Sequence, residues 1–241
     1  MPATPVQRTA VCSLTVALIA GSAGAAAHTL FQTPQVDEGT RTYNNVVIGH
    51  GCAEDAPVIG TSVVFPDGVD STLSVDGEAS PASVTDFVAN WGNAVQLIQS
   101  NDIFALQDVK TDPLGNVVGF WAGAGALEHH LIGLVPFRTN AIVIEPTSCA
   151  RSVTFEAAIV DVCVVTPLGG FSEASVNLWT PSAGSNFDGA ESEPARLTVN
   201  RTSALPAECG EGLDVVVTPS GAQLNRDMPV IFNGRQVWPQ L

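Results

Sequence analysis

The sequence predicts an all-β chain, an antiparallel β-sandwich stapled by two disulfides. Three observations lead there. Short runs rich in β-branched and aromatic residues recur along the chain, separated by turn signals such as Pro66-Asp67-Gly68, Asp112-Pro113-Leu114-Gly115 and Asn233-Gly234. That is the pattern of a sandwich or barrel. Helix-length amphipathic periodicity is scarce, and an apolar leader is followed by an even set of cysteines, which reads as a disulfide framework in an exported chain.

Residues 1–27 have the form of an export signal. Arg8 is their one charged residue, 11–21 is mostly apolar, and Ala25-Ala26-Ala27 offers an A-x-A cleavage site. The apolar run is too short for a membrane-spanning helix. Cleavage after Ala27 would make His28 the first residue of a single domain covering 28–241. Cys12 leaves with the leader, so Cys52, Cys149, Cys163 and Cys209 remain, and the sequence permits three pairings. The lack of a C-x-x-C argues against a thiolate metal site and a thioredoxin-like pair.

The predicted strands fall at 43–48, 61–65, 71–75, 95–99, 103–109, 117–121, 131–135, 141–145, 153–165, 174–179, 196–199, 213–217 and 230–232. Residues 81–91 predict one short helix with Ser83 as its N-cap. The Ser, Gly, Asp and Glu-rich stretch 180–194 reads as a long loop before a C-terminal hairpin region, and a bridge between Cys163 and Cys209 would tie the two parts together.

Twenty-four acidic residues against nine basic ones give a net charge of −15, with Lys110 the one lysine. Loss of the leader would remove Arg8 and make the remainder more negative still. Such a surface argues against nucleic acid as a partner and limits membrane contact to the periphery. It suits a secreted protein of the periplasm or outer cell surface.

The chemistry-bearing candidates are histidines. In Asn44-Asn45-Val46-Val47-Ile48-Gly49-His50-Gly51-Cys52 an apolar strand runs into a histidine held between two glycines and followed by a cysteine. Permissive backbone at a strand end lets the imidazole turn towards a ligand. His28, freed as an N-terminus, would carry an α-amino group and an imidazole, two nitrogens able to chelate copper. His129-His130 follows the glycine-rich patch 119–125; on a strand the two would face opposite ways, so one of them would join a given site. Imidazoles without thiolates point to copper or zinc. Trp91 and Trp121 add redox-capable aromatics.

Hydrolytic signatures are poor. H-E-x-x-H is missing, Glu128-His129-His130 has the wrong spacing, and Gly170-Phe171-Ser172-Glu173-Ala174 lacks the second glycine of a nucleophile elbow. Asp67, Asp70, Asp76 and Asp188 lie in turns that offer calcium a structural site, though without EF-hand spacing. Asn200-Arg201-Thr202 matches a glycosylation sequon.

From His28 to Cys52 the chain resembles the N-terminus of YcnI-like exported copper-binding domains. These begin with a histidine, carry a proline near Pro34, and place a His-Gly-Cys like His50-Gly51-Cys52 after a strand. Val135-Pro136-Phe137 to Cys149 resembles their later strand and second cysteine. The resemblance implies the pairs Cys52–Cys149 and Cys163–Cys209. The chain is also similar to the surface-associated copper-binding proteins of methane-oxidising bacteria, the MopE and CorA type. Those are exported, acidic and β-rich, and hold Cu(I) with two imidazoles and an oxidised tryptophan, kynurenine. In that type the tryptophan stands two residues before a ligand histidine; Ile48 occupies that place here, so Trp121 or Trp91 is expected to contribute instead.

These resemblances imply an exported Cu(I)-binding protein for copper scavenging or handling, with another surface copper or redox protein as a possible partner. His50 and one of His129 or His130 are the expected ligands, with His28 a third. The alternatives are a copper oxidase or oxygenase built on His28, and an acidic surface adhesion module without metal.

Overall fold

A computed structural model describes Met1, residues 28–189 and residues 193–241; the stretch expected to be an export signal lies outside the described residues apart from Met1. The chain runs through β1 (Leu30–Phe31), β2 (Gln35–Asp37), β3 (Thr42–Ile48), β4 (Val58–Val64), β5 (Thr72–Val75), β6 (Glu78–Ser80), β7 (Val95–Leu97) and β8 (Phe104–Thr111). It continues through β9 (Val117–Leu127), β10 (Gly133–Thr139), β11 (Ala150–Val162), β12 (Val176–Trp179), β13 (Ala195–Asn200) and β14 (Leu213–Thr218). Helix α1 (Gly221–Asp227) and the strands β15 (Val230–Phe232) and β16 (Arg235–Trp238) close it.

One sheet has the order β1-β3-β10-β7, and the other runs β6-β5-β14-β11-β4-β9-β8, with β12 and β13 also on β11 and β2 on β13. Pairing is antiparallel except at β11–β14 and β13–β2. In β3 the pleat sends Asn44, Val46 and Ile48 inward and leaves Tyr43 exposed, the alternation expected of a half-buried strand. The two sheets meet over a core in which Phe31 stacks on Phe65 at 5.4 Å and packs against Phe137 at 5.2 Å. The predicted antiparallel sandwich is therefore the observed architecture.

The outer face of the larger sheet carries a second core. Val64, Trp121, Val160 and Val162 are covered there by Leu224 and Met228 of the α1 region and by Trp238 of the β15–β16 hairpin. Asn233 and Gly234 turn that hairpin, both with positive φ (50° and 73°), as a two-residue primed turn requires. Lys110, on β8, reaches under the end of α1. Its Nζ donates to the carbonyl oxygens of Asp227 (2.7 Å), Met228 (3.2 Å) and Pro229 (2.6 Å). Burial pushes its pKa down to about 7 while Asp227 opposes the shift; the three acceptors use all three N–H groups of the ammonium form.

Three expectations need correction. The disulfides are Cys52–Cys163 and Cys149–Cys209, not Cys52–Cys149 and Cys163–Cys209. Cys52 follows β3 and Cys163 ends β11, so both sit at one end of the sandwich; the second bridge lies near the other end, where β11 begins beside β14. Residues 81–91 form no α-helix. Ser83 does cap a helical turn, but it is the 3-10 turn Val84–Asp86, closed by a reciprocal capping box with Asp86, and Val88 then pairs with Ile144 in an isolated bridge. Residues 141–145 accordingly hold that bridge and no strand. After the 180–194 loop, β13 and β14 both join β11 in the main sheet.

Candidate metal centre

The end of the sandwich that holds Cys52–Cys163 also brings His28 and His50 to one ring, while His129 and His130 lie in the β9–β10 turn beside it. β1 pairs antiparallel with β3, Leu30 opposite Val47 and Phe31 opposite Val46. Extended two residues, that register brings His28 level with Gly49, beside His50. Both imidazoles lie against one indole, that of Trp179 at the end of β12. Its ring centroid is 4.7 Å from His28, at 63°, and 6.3 Å from His50, at 85°, edge-on in both cases. β12 is placed there by its ladder with β11, Trp179 opposite Ile159.

Asp161 lies beneath them. It is fully buried on β11, two residues before Cys163. Its Oδ2 accepts from Thr29 Oγ1 at 2.5 Å and from Trp179 Nε1 at 3.0 Å. Burial raises its pKa, and the hydrogen bonds from Thr29 and Trp179, the nearby Thr61 hydroxyl and the charge of His50 pull the other way. Thr61 stands opposite Asp161 across the β4–β11 ladder. Its buried hydroxyl is a third hydrogen-bonding neighbour of the carboxylate.

The ring nitrogens are differentiated. His50 Nδ1 makes a short contact with the carbonyl oxygen of Gly51. A carbonyl only accepts, so Nδ1 is the donor, and in the neutral ring Nε2 is the nitrogen with the lone pair. His28 Nδ1 is buried without a hydrogen-bond partner. Gly51 fixes the turn: a Cβ there would come within 2.2 Å of the Ala56 carbonyl oxygen and 3.1 Å of His129 Cβ. Asn177 Nδ2 holds the Gly51 carbonyl at 3.3 Å.

The remaining candidates stand elsewhere or face away. His129 and His130 sit in the β9–β10 turn, not on a strand. His129 backs onto Gly51, but its Nε2 lies 3.7 Å from Asp55 Oδ1 in an exposed pair, and exposed His130 packs edge-on to it at 5.1 Å. Trp91 stacks on Phe155 at 4.4 Å in the main core, and Trp121 packs edge-on to Phe232 in the outer one; neither ring meets a histidine. The turn carboxylates are engaged locally. Arg226 binds Asp67 and Asp70 at 2.6 and 2.5 Å, Asp76 Oδ1 accepts from Asp214 N, and Asp188 accepts from Gly184 N and Ser185. Among the described residues no group of three or more His, Cys, Asp or Glu side chains is arranged to hold a metal.

No family model and no curated protein matches the sequence. Among solved structures the chain is similar to an uncharacterized protein from Nocardia farcinica, reported to have an immunoglobulin-like fold. The two share 14% identity over 74% of this chain and all of the other, with a TM-score of 0.40. A likeness that loose carries no argument about site or function, and the fold description rests on the strand pairing itself.

Sequence reasoning passed over Trp179, Asp161 and Thr29. One signal was available: Asp161 is the lone charge in the apolar run 157–165, and a carboxylate inside a buried strand calls for a reason.

Proposed function

We propose that this is an exported copper-binding protein that holds Cu(I) between His28 and His50, against Trp179, for scavenging or handling outside the cytoplasm. The observation that carries the reading is the convergence of both imidazoles on the Trp179 indole, with His28 Nδ1 buried there and without a hydrogen-bond partner. Buried polar atoms are nearly always satisfied, and exceptions cluster where something else binds. The donors on offer, His28 Nδ1 and His50 Nε2, are neutral imidazole nitrogens, which suit copper. Two such donors leave room for a further ligand and hence for transfer of the ion. The two disulfides fit an oxidising compartment.

Relative to the sequence expectation, the geometry favours His28 over His129 or His130 as the partner of His50. Competition titration of Cu(I) into protein beginning at His28 tests this. His28→Ala and His50→Ala should each remove most of the binding and His130→Ala very little. Unchanged affinity in His50→Ala would end the reading. The unpartnered His28 Nδ1 also favours a second one, in which the α-amino group completes a chelate and the centre is that of a copper oxidase or oxygenase. Two extra residues before His28 should abolish binding in that case and leave an imidazole-only site nearly intact.

A further inference from the structure

A lone carboxylate in the interior of a sandwich is costly to keep. An ionised group taken out of water loses several kcal/mol of hydration unless partners replace it, and no cation lies within ion-pairing distance of Asp161 among the described residues. The run around it is otherwise apolar, so a valine would suit the strand better. What the carboxylate does contact is specific. One oxygen, Oδ2, receives Thr29 Oγ1 and Trp179 Nε1 together. Thr29 is the residue after His28, and Trp179 is the ring on which His28 and His50 both lie. Two residues along β11, Cys163 is bonded to Cys52, two residues beyond His50.

From this convergence we infer that Asp161 is the positioning residue of the centre. Through a single oxygen atom it sets the N-terminal segment that carries His28 and the indole that both imidazoles face, so the segment and the ring take up one relative geometry. The inference rests on the copper reading for its purpose, but the positioning itself is a property of the metal-free protein.

The experiment therefore has two readouts. Asp161→Val removes both hydrogen bonds and the buried charge, and Asp161→Asn keeps the shape and one acceptor. In metal-free protein, proton NMR should find the His28 ring protons shifted by the Trp179 ring current, and that shift should collapse in Asp161→Val and shrink in Asp161→Asn. With Cu(I), affinity should fall at least tenfold in Asp161→Val, measured in the cold where the variant stays folded. Thr29→Val should give an intermediate loss, because it frees the N-terminal segment and leaves the indole held. If Asp161→Val does not fold, Asp161→Asn and Thr29→Val carry the comparison. A retained ring-current shift in the variants overturns the inference whether or not copper binds. Full copper affinity in Asp161→Val, alongside its loss in His50→Ala, overturns the positioning role and leaves the copper reading standing. Unchanged binding in His50→Ala does the reverse.

Discussion

Removing the two disulfides one at a time separates global stapling from local anchoring. Cys52 and Cys163 are 111 residues apart in sequence, Cys149 and Cys209 60 apart. In the chain-entropy treatment the first bridge contributes about 5 kcal/mol and the second about 4 kcal/mol, since the cost of closing a loop grows only with the logarithm of its length. By that measure alone, Cys52→Ala/Cys163→Ala and Cys149→Ala/Cys209→Ala should be nearly equally destabilised. Against a typical total of about 5–15 kcal/mol, each loses a large share of its stability. Their effects on the centre should differ sharply. The first bridge joins the residues just past His50 and Asp161; the second ties the start of β11 to the turn before β14. Urea midpoints should thus fall by similar amounts. Copper affinity, measured in the cold where both variants stay folded, should drop in the first and persist in the second. The reasoning fails if loss of Cys149–Cys209 abolishes copper binding while loss of Cys52–Cys163 spares it, or if peptide mapping joins Cys52 to Cys149.

Two further outcomes follow from the same geometry. Lys110→Met removes the donor shared by the carbonyls of Asp227, Met228 and Pro229; Met228 keeps the Ser62 hydroxyl at 2.7 Å, so two carbonyls are left unsatisfied, and at about 1 kcal/mol each urea unfolding should register a loss of about 2 kcal/mol, while no measurable loss would contradict the bonding described. Asp214 is held down to about 2 by its hydrogen bonds from Arg151 and then Ser152. A carboxyl whose folded pKa lies below its unfolded value of 3.8 stabilises the protein above that value and loses the contribution as pH falls through the folded one. The stability gap between the natural protein and Asp214→Asn should therefore close from pH 4 to pH 2, and a constant gap over that range would refute the assignment.

Much of the sandwich is legible because β-strands announce themselves locally. The alternation in 43–48, the β-branched run at 153–165 and the Asn233-Gly234 turn each encode their own geometry, and each appears in the structure within a few residues of the expected bounds. What escapes is set by contacts distant in sequence. Cysteine pairing depends on which strand ends meet in space, and the Cys52–Cys163 pair comes together only because the sheet of β3 packs across the core on the sheet of β11. Helix α1 is seven residues long and opens with Gly221, too short for a periodic signal; Leu224 and Met228 hold it by packing on the outer core. The 81–91 segment shows its cap correctly, but Trp91 is claimed by Phe155 and Val88 by Ile144, so the helix stops after one turn. At the centre, His50 and its glycines are readable from local chemistry. Trp179 is not, since nothing in its own neighbourhood says that β12 will lay it across two histidines from the first strands of the chain.

Strand β11 has a consequence for how the molecule breathes. Its lower half is bonded on one edge to β13 and on the other to β14, and its upper half to β12 and β4, so its amides are shielded from solvent until neighbours on both sides let go. Such amides exchange their hydrogens only when the whole domain opens. Asp161 stands on that strand, which joins the candidate centre to the last part of the protein to come apart. An ion that binds the folded form alone would then slow exchange throughout β11, and not merely at the strand end it touches. At a free concentration one hundred times its dissociation constant the slowing corresponds to about 2.7 kcal/mol of added global stability.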